Sequence, residues 1–120
     1  MKTRLLVAAL AVLVVSVTAV DRNTGKAGNG FWYRSISFKT NSLDFVEYLG
    51  EMSNQSGKDF ATTMFDLTIY DARNNVIGSD TFVINNFRRN SSRPIKGIMT
   101  DVDLNQISGY KIDYSMGVEE

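Results

Sequence analysis

The sequence predicts an all-β domain, an antiparallel β-sandwich of about six to seven short strands, behind an N-terminal hydrophobic signal segment. Three observations carry this expectation. Thr63, Phe65, Leu67 and Ile69 alternate with Thr62, Asp66 and Thr68, the period-2 pattern of a half-buried strand. Tyr110, Ile112, Tyr114 and Met116 alternate in the same way with Lys111, Asp113 and Ser115. Clusters of turn-forming residues separate these runs from others like them, with at most one helical turn between them and no internal repeat.

A chain of 120 residues makes one domain, large enough to bury an ordinary core without metal or disulfide staples. It contains no cysteine, which excludes a disulfide framework and a lipid-modified cysteine after the signal. Lys2 and Arg4, the apolar run to Val15 and then Ser16-Val17-Thr18-Ala19 match the charged, hydrophobic and small-residue regions of a secretory signal peptide, with cleavage expected after Ala19. The alternative is an uncleaved anchor. Residues 5–20 span only 16 positions, short of the roughly 20 that cross a bilayer. Expected boundaries are therefore a signal (or anchor) over 1–19, a flexible glycine-rich linker over 20–30 and the sandwich over 31–118. Without Lys2 and Arg4 there are 11 basic residues against 13 acidic ones, a net charge of −2 that argues against nucleic acid as a partner.

In the folded part, Trp32, Ile36 and Phe38 share a parity, so residues 32–39 form an expected first strand. Phe31, Trp32 and Tyr33 cannot all point inward from one strand, so Phe31 and Tyr33 are either covered by another element or left as an apolar contact patch. After the turn at Asn41-Ser42, Val46, Tyr48, Gly50 and Met52 line one side of a second strand, with Glu47 and Glu51 on the wetter side. Gly50 within that strand marks a bulge or a close backbone approach. Residues 54–59 are a loop, and residues 60–82 a hairpin turning through Asp71-Ala72-Arg73-Asn74-Asn75, where Asp71 caps the turn and Asn tolerates a left-handed backbone. Residues 76–84 continue as a strand, 85–94 make a long polar loop holding the one proline, Pro94, and 95–100 form the next strand. Asp101 or Asp103 caps a short helical turn, Gly109 ends it, 110–116 make the last strand, and Glu119-Glu120 is a solvated tail.

The order of these features resembles the FxLYD domain, a small module of exported bacterial and archaeal proteins. Gly50, Met52 and Asn54 stand before the loop; Phe65, Leu67, Tyr70 and Asp71 follow on the hairpin strand; Val76, Ile77 and Gly78 continue after the turn. Thr68-Ile69 separates Leu67 from Tyr70, so the literal F-x-L-Y-D string is absent. The resemblance spans roughly residues 44–115 and implies an immunoglobulin-like or fibronectin-like sandwich with no catalytic residues.

Chemistry-bearing constellations are few. Without histidine or cysteine there is no imidazole base, no thiol nucleophile and no usual zinc ligand set. Asp101, Asp103 and Asn105 open like a calcium loop, but Gln106 and Ile112 occupy the positions that need glycine and a carboxylate. Asp66 and Asp71 point to opposite faces about 16 Å apart and cannot act as a pair. No cofactor or metal site is expected. Asn54-Gln55-Ser56 and Asn90-Ser91-Ser92 are formal glycosylation acceptors on expected loops. Arg88, Arg89, Arg93 and Lys96 form the one basic cluster, suited to an acidic partner or a phosphate-bearing envelope polymer, or else a solvated loop. Together with Phe31 and Tyr33 they are the candidate binding residues. The expected function is a non-catalytic, extracytoplasmic interaction module for an envelope or extracellular protein, touching a membrane only through an uncut N-terminus; the alternative is a structural spacer or self-assembling subunit.

Overall fold

The computed structural model describes residues 23–120, and the signal segment, its cleavage point and the first residues of the expected linker lie outside the described residues. Seven strands follow: β1 Gly25–Gly28, β2 Phe31–Thr40, β3 Val46–Asn54, β4 Phe60–Tyr70, β5 Val76–Phe87, β6 Ser92–Met99 and β7 Gly109–Glu119. They form two sheets, ordered β1-β2-β3-β6 and β5-β4-β7, with every neighbouring pair antiparallel. This is the expected β-sandwich. Its one helical feature among the described residues is a 3-10 turn, Leu104–Gln106, whose first N–H groups are capped by the Asp103 carboxylate accepting from Asn105 N–H. No helix among these residues is long and apolar enough to cross a membrane.

The alternation in β4 places Thr63, Phe65, Leu67 and Ile69 against the facing sheet, all buried. Val46, Tyr48 and Met52 of β3 close on them from the other side, together with Ile95 of β6. Gly50 lies on the same inward parity as these β3 residues. A Cβ there would stand 2.4 Å from Ile36 Cδ1, so the close approach expected at this glycine is present. Gly97 serves Tyr48 similarly, because a Cβ at that position would overlap the phenol ring. That ring crosses between the sheets, and its hydroxyl donates to Asp80 Oδ2 at 2.5 Å. Burial, then the bond to Asp80, hold the Tyr48 hydroxyl well above the ordinary tyrosine range.

The N-terminal edge departs from expectation. Residues 25–28, read as linker, form β1, which pairs with β2 through Lys26↔Trp32 and Gly25↔Tyr33. Asn29 and Gly30, with φ of 54° and 86°, make the two-residue turn that an Asn-Gly pair favours. The assignment of faces in β2 is also corrected. Ser35 sits at φ 57°, and the pairing with β3 shifts between Arg34 and Ser37. This bulge exchanges the two faces midway along the strand. Phe31 and Tyr33 therefore point inward before it and Ile36 and Phe38 after it, while Trp32 faces out beneath the Lys26 ammonium, 5.0 Å from its ring centroid.

A second parity break, Asn86 at φ 53°, lets Phe87 reach the core, so β5 extends through residues expected as loop. β6 likewise begins at Ser92, which leaves only four residues between the two strands. Pro94 consequently lies in β6, an edge strand, rather than in a loop, and its missing N–H is tolerated there. The expected tail is structured too: β7 runs to Glu119, which pairs with Phe60.

Asn54, buried at the end of β3, ties three segments together. Its Nδ2 donates to Lys58 O at 2.9 Å and to Phe87 O at 3.0 Å, and its Oδ1 accepts from Ser56 N–H and Oγ. No buried side-chain nitrogen or oxygen among the described residues lacks a partner. Replacing Asn54 with Ala strips donors from the carbonyls of Lys58 and Phe87 and opens both loops. We expect a loss of about 2–4 kcal/mol, read as a lower urea midpoint with an unchanged slope.

Candidate functional site

The sequence singled out a basic loop and two aromatics, and the structure treats them differently. Arg89 is bound to Asp59 three times: its backbone N–H donates to Oδ1 at 2.8 Å, Nε to Oδ1 at 3.4 Å and Nη2 to Oδ2 at 3.1 Å. The Arg89 side chain, then its backbone N–H, hold the Asp59 carboxyl below the usual range. Arg88 pairs with Glu120 at 3.2 Å, and Arg93 Nη1 donates to Asn85 O at 2.8 Å and Asn86 O at 3.3 Å. Lys96, out on the exposed face of β6, has no ion pair among the described residues. The three arginines thus fasten the loop, the end of β5 and the C-terminus to the sandwich, and of this cluster Arg93 and Lys96 have no acidic partner among the described residues. Glu119 and Glu120, expected to be solvated, are the partners of Lys58 and Arg88.

Phe31 is 1% exposed and therefore cannot form part of a contact surface. Its ring lies against Phe60, Phe65, Phe87 and Tyr114 at centroid distances of 5.2–5.5 Å. Tyr33 is half-buried and meets Tyr110 edge-on at 5.8 Å. Burial, then the charge of Asp113, raise its hydroxyl above the ordinary value. Of the two formal glycan acceptors, Asn54 is sealed in the knot described above, whereas Asn90 stands exposed in the turn between β5 and β6.

No group of three or more acidic, histidine or cysteine side chains able to hold a metal occurs among the described residues. Asp71 is occupied with its turn, where Oδ1 accepts from the N–H groups of Arg73 and Asn75 at 2.9 Å. Bonds from Asn75 and Arg73 hold its carboxyl low.

What the structure does assemble is an open flank. β1 covers only the first residues of β2; beyond them, one backbone bond among the described residues, from Ile36 N–H to Asn23 O at 3.4 Å, reaches that edge. On the side away from β3, residues 37–40 have no strand beside them among the described residues. Inside this edge lies a groove of about 370 Å³, with Ile36 and Phe38 on one wall and Ile107, Gly109 and Tyr110 on the other. The Tyr110 ring packs edge-on against Phe38 at 5.5 Å, and burial raises its hydroxyl above the ordinary range. Sequence reasoning missed this groove because its walls come from opposite sheets and sit some 70 residues apart in the chain. The one local signal is the apolar Ile36–Phe38 pair immediately after the Ser35 bulge.

No family model matches the chain, and no curated protein matches it. Among solved structures, a DUF1425 family member from Shewanella sp. pv-4 aligns with a TM-score of 0.47 at 8% identity, covering 81% of this chain and 98% of that one.

The Asp59–Arg89 pair sets a pH dependence. A depressed carboxyl adds stability above its unfolded value, near the ordinary 3.8, and that stability disappears as pH falls through the lower folded value. Asp59→Asn should therefore be less stable than the parent chain at neutral pH, and the two should converge once the acid has protonated Asp59. Urea midpoints measured along a pH series check this.

Proposed function

We propose that this chain is a non-catalytic, exported interaction module that binds an extended segment of an envelope or extracellular protein along the open edge of β2. One observation carries the reading: the edge of residues 37–40 that faces away from β3, uncovered among the described residues, lies directly over an apolar groove. An incoming strand would hydrogen-bond to the unpaired backbone and set alternate side chains against Ile36, Phe38 and Tyr110, the general mode of strand addition. The absence of histidine and cysteine supports a role without catalysis. Export rests on the signal-like sequence of residues 1–19. The order of Gly50, Met52, Asn54, Phe65, Leu67, Tyr70 and Asp71 supports grouping the chain with FxLYD-type modules.

The test is a photo-crosslinking residue at Phe38 in the full-length protein in its own cells, with the same probe at Thr68 on the outer face of the other sheet. The proposal expects a heterologous protein captured at position 38 through one contiguous segment and not at 68. Equal capture at both sites, or none at 38, overturns it. With the probe moved to the exposed Ser37, Phe38→Lys should reduce that capture roughly tenfold or more.

A second reading, self-association, is favoured by one feature. Val83, Met64 and Met116 stand in one lateral row on the outer face of the three-stranded sheet, with Val118 close by, and Val83, Met116 and Val118 are each about half exposed. Large exposed apolar patches mark contact surfaces. If this row joins copies, the molar mass by light scattering should rise with concentration, and Met116→Lys should return it to the monomer value.

A further inference from the structure

The outer face of the four-stranded sheet carries a second site, separate from the groove. Lys26, Trp32, Ser53 and Ser92 are successive register partners, so one lateral row crosses all four strands. At the usual strand spacing this row is about 14 Å long. Trp32 is the only tryptophan of the chain, and it is spent on this face rather than in the core. Its ring borders a shallow depression of about 320 Å³ whose other walls are Thr24, Arg34, Gln55, the two serines and Tyr33, whose ring turns inward to Tyr110. The hydroxyls of Thr24 and Ser92 are exposed and make no hydrogen bond among the described residues. Gln55 Nε2 donates to Ser53 Oγ at 3.1 Å, which leaves the Gln55 carbonyl and the Ser53 hydrogen available.

We propose that this row is a binding site for a saccharide. A pyranose ring has a C–H face that packs on an indole and an equatorial rim of hydroxyls, and the row supplies one indole flanked by uncharged donors and acceptors. The Lys26 ammonium lies over the indole through a contact that is weak at an exposed site, so it can shift to donate to a sugar oxygen. Other ring-bearing ligands fit less well. A nucleic acid would need clustered free cations for its phosphates, yet Arg34 is held by Glu51 at 3.1 Å. A proline-rich peptide docks against a groove of several aromatics, and this face has one.

Because Trp32 is the sole tryptophan beside five tyrosines, emission excited selectively at the indole reports this site. Chitotriose, cellotriose and trigalacturonate are titrated to millimolar concentration, with adenosine monophosphate as a planar control. The proposal expects a saturable change in emission with at least one trisaccharide and a flat response to the nucleotide. By calorimetry, Trp32→Ala should weaken that binding roughly ten- to a hundredfold, the loss seen when an aromatic stacking platform is removed. Should that variant fail to fold by circular dichroism, Ser92→Leu, at an exposed edge position, is expected to weaken the same trisaccharide. A flat titration with all three sugars, an equal response to the nucleotide, or sugar binding unchanged in the folded variant overturns the proposal.

Discussion

The packing of Phe31 against four other rings is the contact on which the rest of the sandwich depends. Phe60 and Phe65 come from β4, Phe87 from β5 and Tyr114 from β7, so one side chain of β2 engages all three strands of the opposite sheet. Several other features follow from placing that ring inside. The Asn29-Gly30 turn sets β1 edge to edge beside β2, with Gly28 opposite Phe31. Trp32, next in the chain, is forced outward. If the strand then ran on regularly, Ser35, Ser37 and Lys39 would face the core; the bulge at Ser35 hands the inner face to Ile36 and Phe38 instead.

The two flanks of the sandwich are closed by different means. Where β5 meets β6, polar links span the gap: Tyr48 to Asp80, and the Arg93 guanidinium to the carbonyls of Asn85 and Asn86. Each such link is directional, and each satisfies groups that would otherwise face a sheet edge. Where β2 meets β7, the contacts are rings and aliphatic side chains, with the groove left between them. Beyond Ile36, whose N–H donates to Asn23 O, the edge of β2 has no strand partner among the described residues, which is why this edge and not the basic loop carries the functional reading.

The strands whose alternation is uninterrupted were legible in the sequence. β4 needed only Thr63 to Ile69, β3 only Val46 to Met52, and the Asp71 cap and the tight approach at Gly50 followed from single residues. The errors of parity fall at Ser35 and Asn86, where a non-glycine residue takes a left-handed backbone, and at Ser115, where β7 bulges against β4 and turns Met116 outward instead of inward with Ile112 and Tyr114; each break reverses later side chains while leaving no mark on composition. The candidate site was less legible than the fold. A run of arginines looks alike in sequence whether it is free or bound to Asp59, Glu120 and backbone carbonyls, since the partners lie about 30 residues away or at the end of an adjacent strand. Lateral rows such as Lys26, Trp32, Ser53 and Ser92 exist only once the register of three strand pairs is known.

The Asn54 knot bears on the order of events in the life of the chain. Its amide is the acceptor of a formal glycosylation triplet, yet in the folded domain both of its hydrogens are committed to carbonyls from two different loops. The group is open to an enzyme only until the end of β5, in the opposite sheet, closes on it through Phe87 O. Attachment of a sugar before that moment would replace one of the two amide hydrogens, so at least one of the bonds to Lys58 O and Phe87 O would be lost from this buried site. A sugar at Asn54 would therefore oppose the closing of this buried knot, whereas one at the exposed Asn90 would not.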